Sequence, residues 1–334
     1  MNKICIVYTH SKIGDLIWQL PYIESISKYH DQKITFITRE ETHAKSIMAD
    51  LEYVKNIKYN TFRKGMLYWI DVLKLTFFFF KNKFTHIYIL DKVNKPAIAA
   101  KISGIKNIFG PGIGNQKFWL TNKEYLSKND FSSLSYSEQS QKLLKLMNIP
   151  IINMYPKLDL NLDKFGINQD ILNMKGKLIS FGIDSGEYYK MWYEEYFVEL
   201  AERLHDQNII DHIFLICTKE NENMAKKIIN NSKKNIFFNC AGVGLLNVMA
   251  AIKKSIFFVG NASGPLNLSA AMDIDSFGLI ANDPISELKY SKIITITPEN
   301  YQDNMWRRER EGMKDLTVDK VYNFIISHIK KVND

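Results

Sequence analysis

The chain has 334 residues, 46% hydrophobic and 24% charged, enough for two domains of about 100–200 residues each and unlike disordered or collagen-like compositions. Its three cysteines, Cys5, Cys217 and Cys240, are too scattered for a disulfide framework, fit a reducing compartment, and form no CxxC or Cys/His pairing of the kind zinc needs. The net charge of +8 resides in residues 1–155, where 22 Lys and Arg stand against 12 Asp and Glu. That asymmetry points to a polyanionic partner for the first half: nucleic acid, phosphorylated glycan or anionic lipid.

The apolar run before Thr9 is shorter than the roughly 7–15 residues of a signal-peptide core, so a cytoplasmic protein is expected. Short β-branched or aromatic runs then alternate with longer amphipathic segments, the pattern of repeated βα units. In the first half the pattern predicts strands over Ile4–Tyr8, Ile34–Thr38, His86–Leu90 and Asn107–Phe109, with helices near Leu16–Tyr29 and Ser137–Met147. The segment "NIPIINMYPKL" reads as a linker, because Pro150 and Pro156 both oppose a continuing helix. The pattern restarts with strand Leu178–Gly182, helix Trp192–His205, strand His212–Cys217, helix Glu220–Asn230 and strand Ile236–Asn239. Strand Ile256–Gly260, helix Pro265–Met272 and strand Ser276–Ile280 follow, and a last amphipathic helix, Val318–Lys331, starts behind Thr317 as N-cap. The expected architecture is α/β, with two doubly wound domains at residues 1–155 and 156–316. The final segment, 317–334, is expected to pack back towards the first domain. Ligands then belong at the carboxyl ends of the strands, facing a common cleft.

Three strand-to-helix segments carry candidate chemistry. In "THSKIGDLIWQLP", Gly14 permits a tight turn and Asp15 stands at the helix start, either as an N-cap or as a carboxylate at the cleft. In "SFGIDSGEYYKMW", a loop with Ser185, Gly186 and Lys190 precedes a helix, a composition suited to phosphate, although the GKS/GKT ending of a P-loop is absent. In "IFFVGNASGPLNLSAAM", a strand runs into Gly260, Asn261, Ala262, Ser263 and Gly264 and then a helix of small residues with Pro265 in its first turn. This last is the strongest anion-binding candidate; a plain strand-to-helix turn is its alternative.

Other patterns are set aside. "GPGIGN" and "GVGLLN" do not satisfy GxGxxG, so no nicotinamide dinucleotide is expected, and seven histidines without HExxH or paired spacing give no metal site. "YVKNIKYNTFRKG" gathers Lys55, Lys58, Arg63 and Lys64 ahead of "MLYWIDVLKLTFFFF", a window interrupted by Asp71 and Lys74 and shorter than the ~20 residues that cross a bilayer. It reads either as a solvated loop before a core helix or as a surface that rests on an anionic membrane. Nucleic acid is not expected, because no recognised motif accompanies the charge.

Taken in order, these segments resemble glycosyltransferase family 9, the ADP-heptose:lipopolysaccharide heptosyltransferases. "IGDLIWQLPYIESISKYHDQKITFIT" resembles the family's opening Gly-Asp, helix, Pro and second strand, and "YYKMWYEEYFVELAERL" its Lys-x-Trp segment and helix. "GNASGPLNLSAAMDI" resembles its Gly-Asn-Asp-Ser-Gly-Pro-x-His-x-Ala-Ala signature, and "LTVDKVYNFI" its terminal helix. The resemblance implies a GT-B arrangement, two Rossmann-like domains facing a central cleft, with an acceptor-binding first domain and a nucleotide-sugar-binding second one.

The resemblance also implies roles. Asp15 matches the catalytic base, Lys190 the lysine that contacts the donor's phosphates or sugar, and Ser263 and Gly264 the loop around the diphosphate. Ser185, Gly186, Gly260, Asn261, Ala262 and Asn267 complete the implied donor side, and Glu220 or Glu222 falls where an acid binds the donor ribose. Thr9, His10, Ser11, Lys12, Arg63 and Lys64 fall on the acceptor side. Two positions depart from the signature, Ala262 for its Asp and Asn267 for its His, which implies altered recognition of the donor sugar. The expected activity is inverting and metal-independent, without a cofactor, moving a sugar from a nucleoside diphosphate, ADP-linked, to a phosphorylated lipopolysaccharide or lipooligosaccharide core on the anionic inner face of the inner membrane. A catalytically silent nucleotide-sugar or glycan binder, a protein glycosyltransferase and a nucleotide-sugar epimerase are the alternatives.

Overall fold

The computed structural model describes residues 2–285, 288, 292–303 and 308–333. The chain divides into two compact units, Met1–Lys157 and Leu158–Asp334, with the boundary just past Pro156, at the end of the segment read as a linker.

The first unit runs β1 (Ile4–Val7), α1 (Ile13–Tyr29), β2 (Ile34–Thr38), α2 (Ala44–Ile47), β3 (Val54–Tyr59), α3 (Tyr68–Asn82), β4 (His86–Ile89), α4 (Asn94–Ile102), β5 (Asn107–Phe109), α5 (Lys128–Ser133) and α6 (Tyr136–Leu146). Its five strands are parallel in the order β3-β2-β1-β4-β5. β1 and β2 are buried at every residue, as expected of parallel strands covered on both faces. α1 and α6 are joined by Ser140 Oγ donating to Gln19 Oε1 at 2.6 Å and by a 2.7 Å hydrogen bond between the Tyr22 and Ser137 hydroxyls.

Two features differ from the sequence expectation. The segment containing Lys55 and Lys58 forms edge strand β3, whose half-exposed residues give no clean apolar alternation. The aromatic window forms α3, which divides by face: Val72, Leu75 and Phe79 are buried in the unit's core, while Trp69, Leu73, Phe77 and Phe80 are 59–69% exposed.

Asp71 explains the charge inside that window. Its fully buried carboxylate accepts from Arg63 Nη2 at 2.6 Å, Arg63 N–H at 2.7 Å, Thr61 Oγ1 at 3.0 Å and Lys95 Nζ at 3.1 Å. Lys95, itself 3% exposed, also donates to Arg63 O and lies over the Tyr68 ring. Burial alone would raise the Asp71 carboxyl; the donors from Arg63, Lys95 and Thr61 outweigh it and hold the group well below the usual carboxylate range.

The second unit runs α7 (Gln169–Asn173), β6 (Leu178–Gly182), α8 (Glu194–Asp206), β7 (His212–Ile216), α9 (Glu222–Asn231), β8 (Phe237–Asn239), α10 (Leu245–Lys253), β9 (Phe258–Asn261), α11 (Gly264–Ala271), β10 (Ser276–Leu279), β11 (Ile293–Ile296) and α12 (Val318–Asn333). Six parallel strands lie in the order β11-β10-β9-β6-β7-β8. At the β6–β9 pairing, Gly182 faces Gly260, and a Cβ on Gly260 would come within 2.7 Å of Gly182 O. Thr317 Oγ1 accepts from Lys320 N–H, as an N-cap should. Val321 and Ile325 of α12 are buried with Trp192 and Phe197 in the core of this second unit, where α12 packs on α8.

Removing the Asp71 carboxylate leaves Lys95 buried without its counter-charge, so Asp71→Ala is expected to destabilise the protein by about 3–5 kcal/mol. Because the carboxyl is held below its ordinary value, its contribution is complete above about pH 4 and is lost as pH falls through the folded-state value. Denaturant unfolding should therefore show the widest gap between wild type and variant near neutrality and a shrinking gap on acidification; a gap independent of pH would count against the network.

Candidate active site

In the first unit the site forms where β1 ends and the chain crosses to α1. Asp91, buried at the end of β4, accepts from Thr9 N–H at 2.5 Å and from Val93 N–H at 3.0 Å, and Arg39 Nε donates to Thr9 O at 2.5 Å. The Arg39 guanidinium also donates to Phe62 O at 3.4 Å, so the segments bearing Thr9 to Lys12 and Arg63 to Lys64 share one edge of the sheet.

On that framework His10 stacks on Tyr8 with centroids 5.0 Å apart, meets Tyr136 edge-on at 4.1 Å, and places Nδ1 3.5 Å from Asp15 Oδ2. The His10 and Asp15 side chains are 27% and 24% exposed, sheltered yet reachable. Burial first, then the charges of Asp15 and Asp91, pushes the Tyr8 phenol well above its ordinary range. α1 begins at Ile13 with Lys12 as N-cap and no side-chain cap bond, so Asp15 is the third helical residue rather than a cap. Gly14 lies inside that first turn without a left-handed φ, so the expected glycine turn is not made there. Ser11, Lys12 and Lys64 are exposed, whereas the Arg63 guanidinium is already engaged by Asp71.

In the second unit the loops after β6, β7, β9 and β10 emerge at the carboxyl edge. Ser185 Oγ donates to Ala262 O at 3.4 Å, joining two of the three segments singled out in the sequence. Asn261 is fully buried: its Oδ1 accepts from Trp192 N–H and its Nδ2 donates to Ile183 O, both at 2.8 Å. Gly260 and Asn261 therefore act by packing and bracing. Ser263 is the N-cap of α11 but makes no side-chain cap bond, and its buried hydroxyl has no partner among the described residues. Asn267 donates to Ser263 O at 3.1 Å while its own Oδ1 is also buried without a partner.

Lys190 is 15% exposed, with Nζ 2.5 Å from Glu187 Oε2 and 3.0 Å from Asp283 Oδ1. Burial would lower its ammonium; the two carboxylates outweigh burial and hold it above its ordinary value. A pocket of about 840 Å³ opens beside these loops, lined by Ser185, Gly186, Tyr188, Thr218, Glu220 and Arg310 among others. Glu220 therefore faces the pocket, while Glu222 is paired with Lys219 at 2.7 Å and Lys226 at 3.3 Å.

Sequence reasoning missed Asp184, Asn282, Asp283 and Arg310. Asp184 accepts from Thr218 N–H at 2.7 Å, and Asn282 Nδ2 donates to Tyr189 O at 2.6 Å. Their one available signal was a polar residue directly behind an apolar strand. Arg310 donates to Met191 O at 2.9 Å, Trp192 O at 2.8 Å, Tyr188 OH at 2.8 Å and Glu194 Oε2 at 3.0 Å, with its guanidinium against the Tyr188 and Tyr193 rings. Its segment gave no local sign of this. Among the described residues, no group of three or more His, Cys, Asp or Glu could hold a metal ion.

The family model of glycosyltransferase family 9 (heptosyltransferase) matches residues 85–315. The chain belongs to this family. Family 9 membership makes it a glycosyltransferase, and its two parallel α/β sheets are those of GT-B heptosyltransferases. The structure of E. coli ADP-heptose lps heptosyltransferase II is similar at a TM-score of 0.81 and 16% identity, over 99% of this chain and 100% of that one. E. coli heptosyltransferase WaaC with ADP is similar at 0.73 and 16%, over 97% and 99%. The iron-containing dodecameric glycosyltransferase TibC from enterotoxigenic E. coli is similar at 0.60 and 12%, over 100% of this chain and 77% of that one. No curated protein matches.

In this family 9 chain Arg310 braces the turn that carries Lys190. Arg310→Met should leave two carbonyls and Glu194 short of a donor and lower stability by about 1–3 kcal/mol, with faster amide exchange across residues 190–192. Arg310→Lys should recover little, because an ammonium cannot reproduce the planar fork. Unchanged exchange at those amides would remove Arg310 from the site's support.

Proposed function

We propose that this enzyme is an inverting, metal-independent transferase that moves a sugar, heptose or a relative, from an ADP-linked donor to a lipopolysaccharide or lipooligosaccharide core. The observation that carries this reading is the start of α11: amides without a side-chain cap, beside a buried Ser263 hydroxyl that lacks a partner among the described residues, form an anion site suited to a diphosphate. The ADP bound to the similar WaaC supports the choice of nucleotide.

In the proposed reaction the acceptor hydroxyl attacks the anomeric carbon as the bond to the diphosphate breaks, from the opposite face, so configuration inverts. Asp15 takes the hydroxyl proton, and the departing diphosphate keeps the bonding electrons and is held by the α11 amides. A helix N-terminus weakens Asp15 as a base, but an oxocarbenium-like transition state needs only late proton removal. His10, 3.5 Å from the carboxylate, holds it in place.

A panel of nucleotide sugars, read by nucleoside diphosphate release with and without truncated lipooligosaccharide, tests the assignment. Asp15→Ala should lower turnover by at least ~10²-fold with the fold intact, and EDTA should leave the wild-type rate unchanged. Because Ala262 and Asn267 depart from the family signature, a donor other than ADP-heptose is expected to be used best. Near-normal turnover of Asp15→Ala would overturn the base, and activity abolished by EDTA and restored by a metal would overturn metal independence.

For location, we propose peripheral attachment to the anionic inner face of the inner membrane. Among the described residues, no helix is long and apolar enough to cross a membrane. Met66, Trp69, Ile70, Leu73, Phe77 and Phe80 form one exposed stripe along α3 and its approach, with Lys64, Lys74 and Lys81 exposed beside it. Apolar contact bordered by lysines matches an anionic lipid surface. In co-sedimentation, the protein should bind vesicles containing anionic lipid, bind less as salt rises, and lose binding when Trp69, Phe77 and Phe80 all become Ser. Equal binding to neutral vesicles, or undiminished binding of the triple variant, would overturn it.

A further inference from the structure

The family resemblance puts Lys190 on the donor's phosphates or on its sugar, and its ammonium touches two carboxylates, Glu187 at 2.5 Å and Asp283 at 3.0 Å. These two carboxylates already meet the ammonium's charge, which leaves little of it to attract a diphosphate. Vicinal hydroxyls suit such a cluster, since each can donate to a carboxylate while accepting from the ammonium. The requirement for an anion site is met separately in the same unit by the α11 amides and the Ser263 hydroxyl.

Asp283 is also held in place. Its backbone carbonyl accepts from Tyr301 OH at 2.6 Å, and Ile285 N–H donates to the same hydroxyl at 2.9 Å. The preceding residue, Asn282, donates to Tyr189 O and to Glu309 O at 3.0 Å, tying this loop to the turn that carries Lys190. The Asp283 side chain is 9% exposed, and burial of this kind suits discrimination, because a sugar whose hydroxyls do not match the cluster forfeits hydrogen bonds made away from water.

We infer that Asp283, acting with Lys190 and Glu187, binds hydroxyls of the donor's sugar and determines which sugar is accepted, while the phosphates rest on the start of α11. This rests on the reading of the second unit as a nucleotide-sugar site and separates the two halves of the donor within it.

Free ADP, which carries the diphosphate but not the transferred sugar, distinguishes the halves in calorimetric titration. Lys190→Met and Asp283→Asn should bind ADP within about threefold of wild type, whereas Ser263→Asp, which sets a negative charge on the α11 amides, should weaken it at least tenfold. In the donor panel, Asp283→Asn should lower kcat/KM for the best sugar at least tenfold, and Asp283→Glu, which keeps the charge and moves it, should reorder the preference. Thermal melts establish that each variant is folded. A tenfold loss of ADP affinity in Lys190→Met would return the lysine to the phosphates and overturn the inference, as would an unaltered donor preference in both Asp283 variants. Failure of the wild type to bind ADP, GDP or UDP would instead overturn the underlying nucleotide-sugar reading.

Discussion

Buried polar side chains behind the strands hold the loops of this enzyme. A parallel sheet delivers each strand to the same edge and stops there, leaving the following loop to find partners for its own amides and carbonyls. Asp91 supplies them for the loop after β1, Asp184 for the loop after β7, Asn261 for the loop after β6 and Asn282 for the turn at Tyr189. Each is nearly inaccessible to solvent, so each bond is made where water does not compete and where losing it would strand a buried group. Of the residues proposed to touch substrate, Lys190 stands on a turn fixed in this way, and Asp15 in the first turn of α1, just past the loop that Asp91 fixes.

What could be read from the chain followed from how locally each signal is written. β2, β5 and β6 appeared at their full lengths because β-branched, aromatic or leucine residues dominate each run and a polar or glycine residue closes or follows it. The start of α11 was visible as a strand, a small-residue loop and a proline. β3 was missed because an edge strand with half-exposed residues has no alternation to detect, and its lysines read as a loop. Arg310 was missed for a different reason: its partners at Met191 and Trp192 lie 119 and 118 residues away, and no local pattern encodes such a pairing.

Charge was the least legible quantity. Counting lysines and arginines located an excess in the first half, but a count does not separate free cations from paired ones. Arg63 is committed to a buried aspartate, while Lys64 nearby stands in solvent. Lys190 likewise carries its counter-charges with it. Sequence spacing identified both as candidate ligands for anions, and only the positions of Asp71 and Asp283, fixed by tertiary packing, show how little of their charge is uncommitted.

Trp192 joins several distant parts of the second unit. Its backbone N–H is held by Asn261, its carbonyl by Arg310, and its indole Nε1 by Leu316 O just ahead of α12, contacts that span 69, 118 and 124 residues of sequence. The turn bearing Lys190 thus reaches its final shape only after β9, the Arg310 segment and the approach to α12 have all arrived. Contacts across such sequence separations exist only in the tertiary fold, so this part of the second unit is shaped by packing and not by its local sequence. Loosening of α12 would therefore be felt at the turn bearing Lys190 as much as loosening of the loop itself.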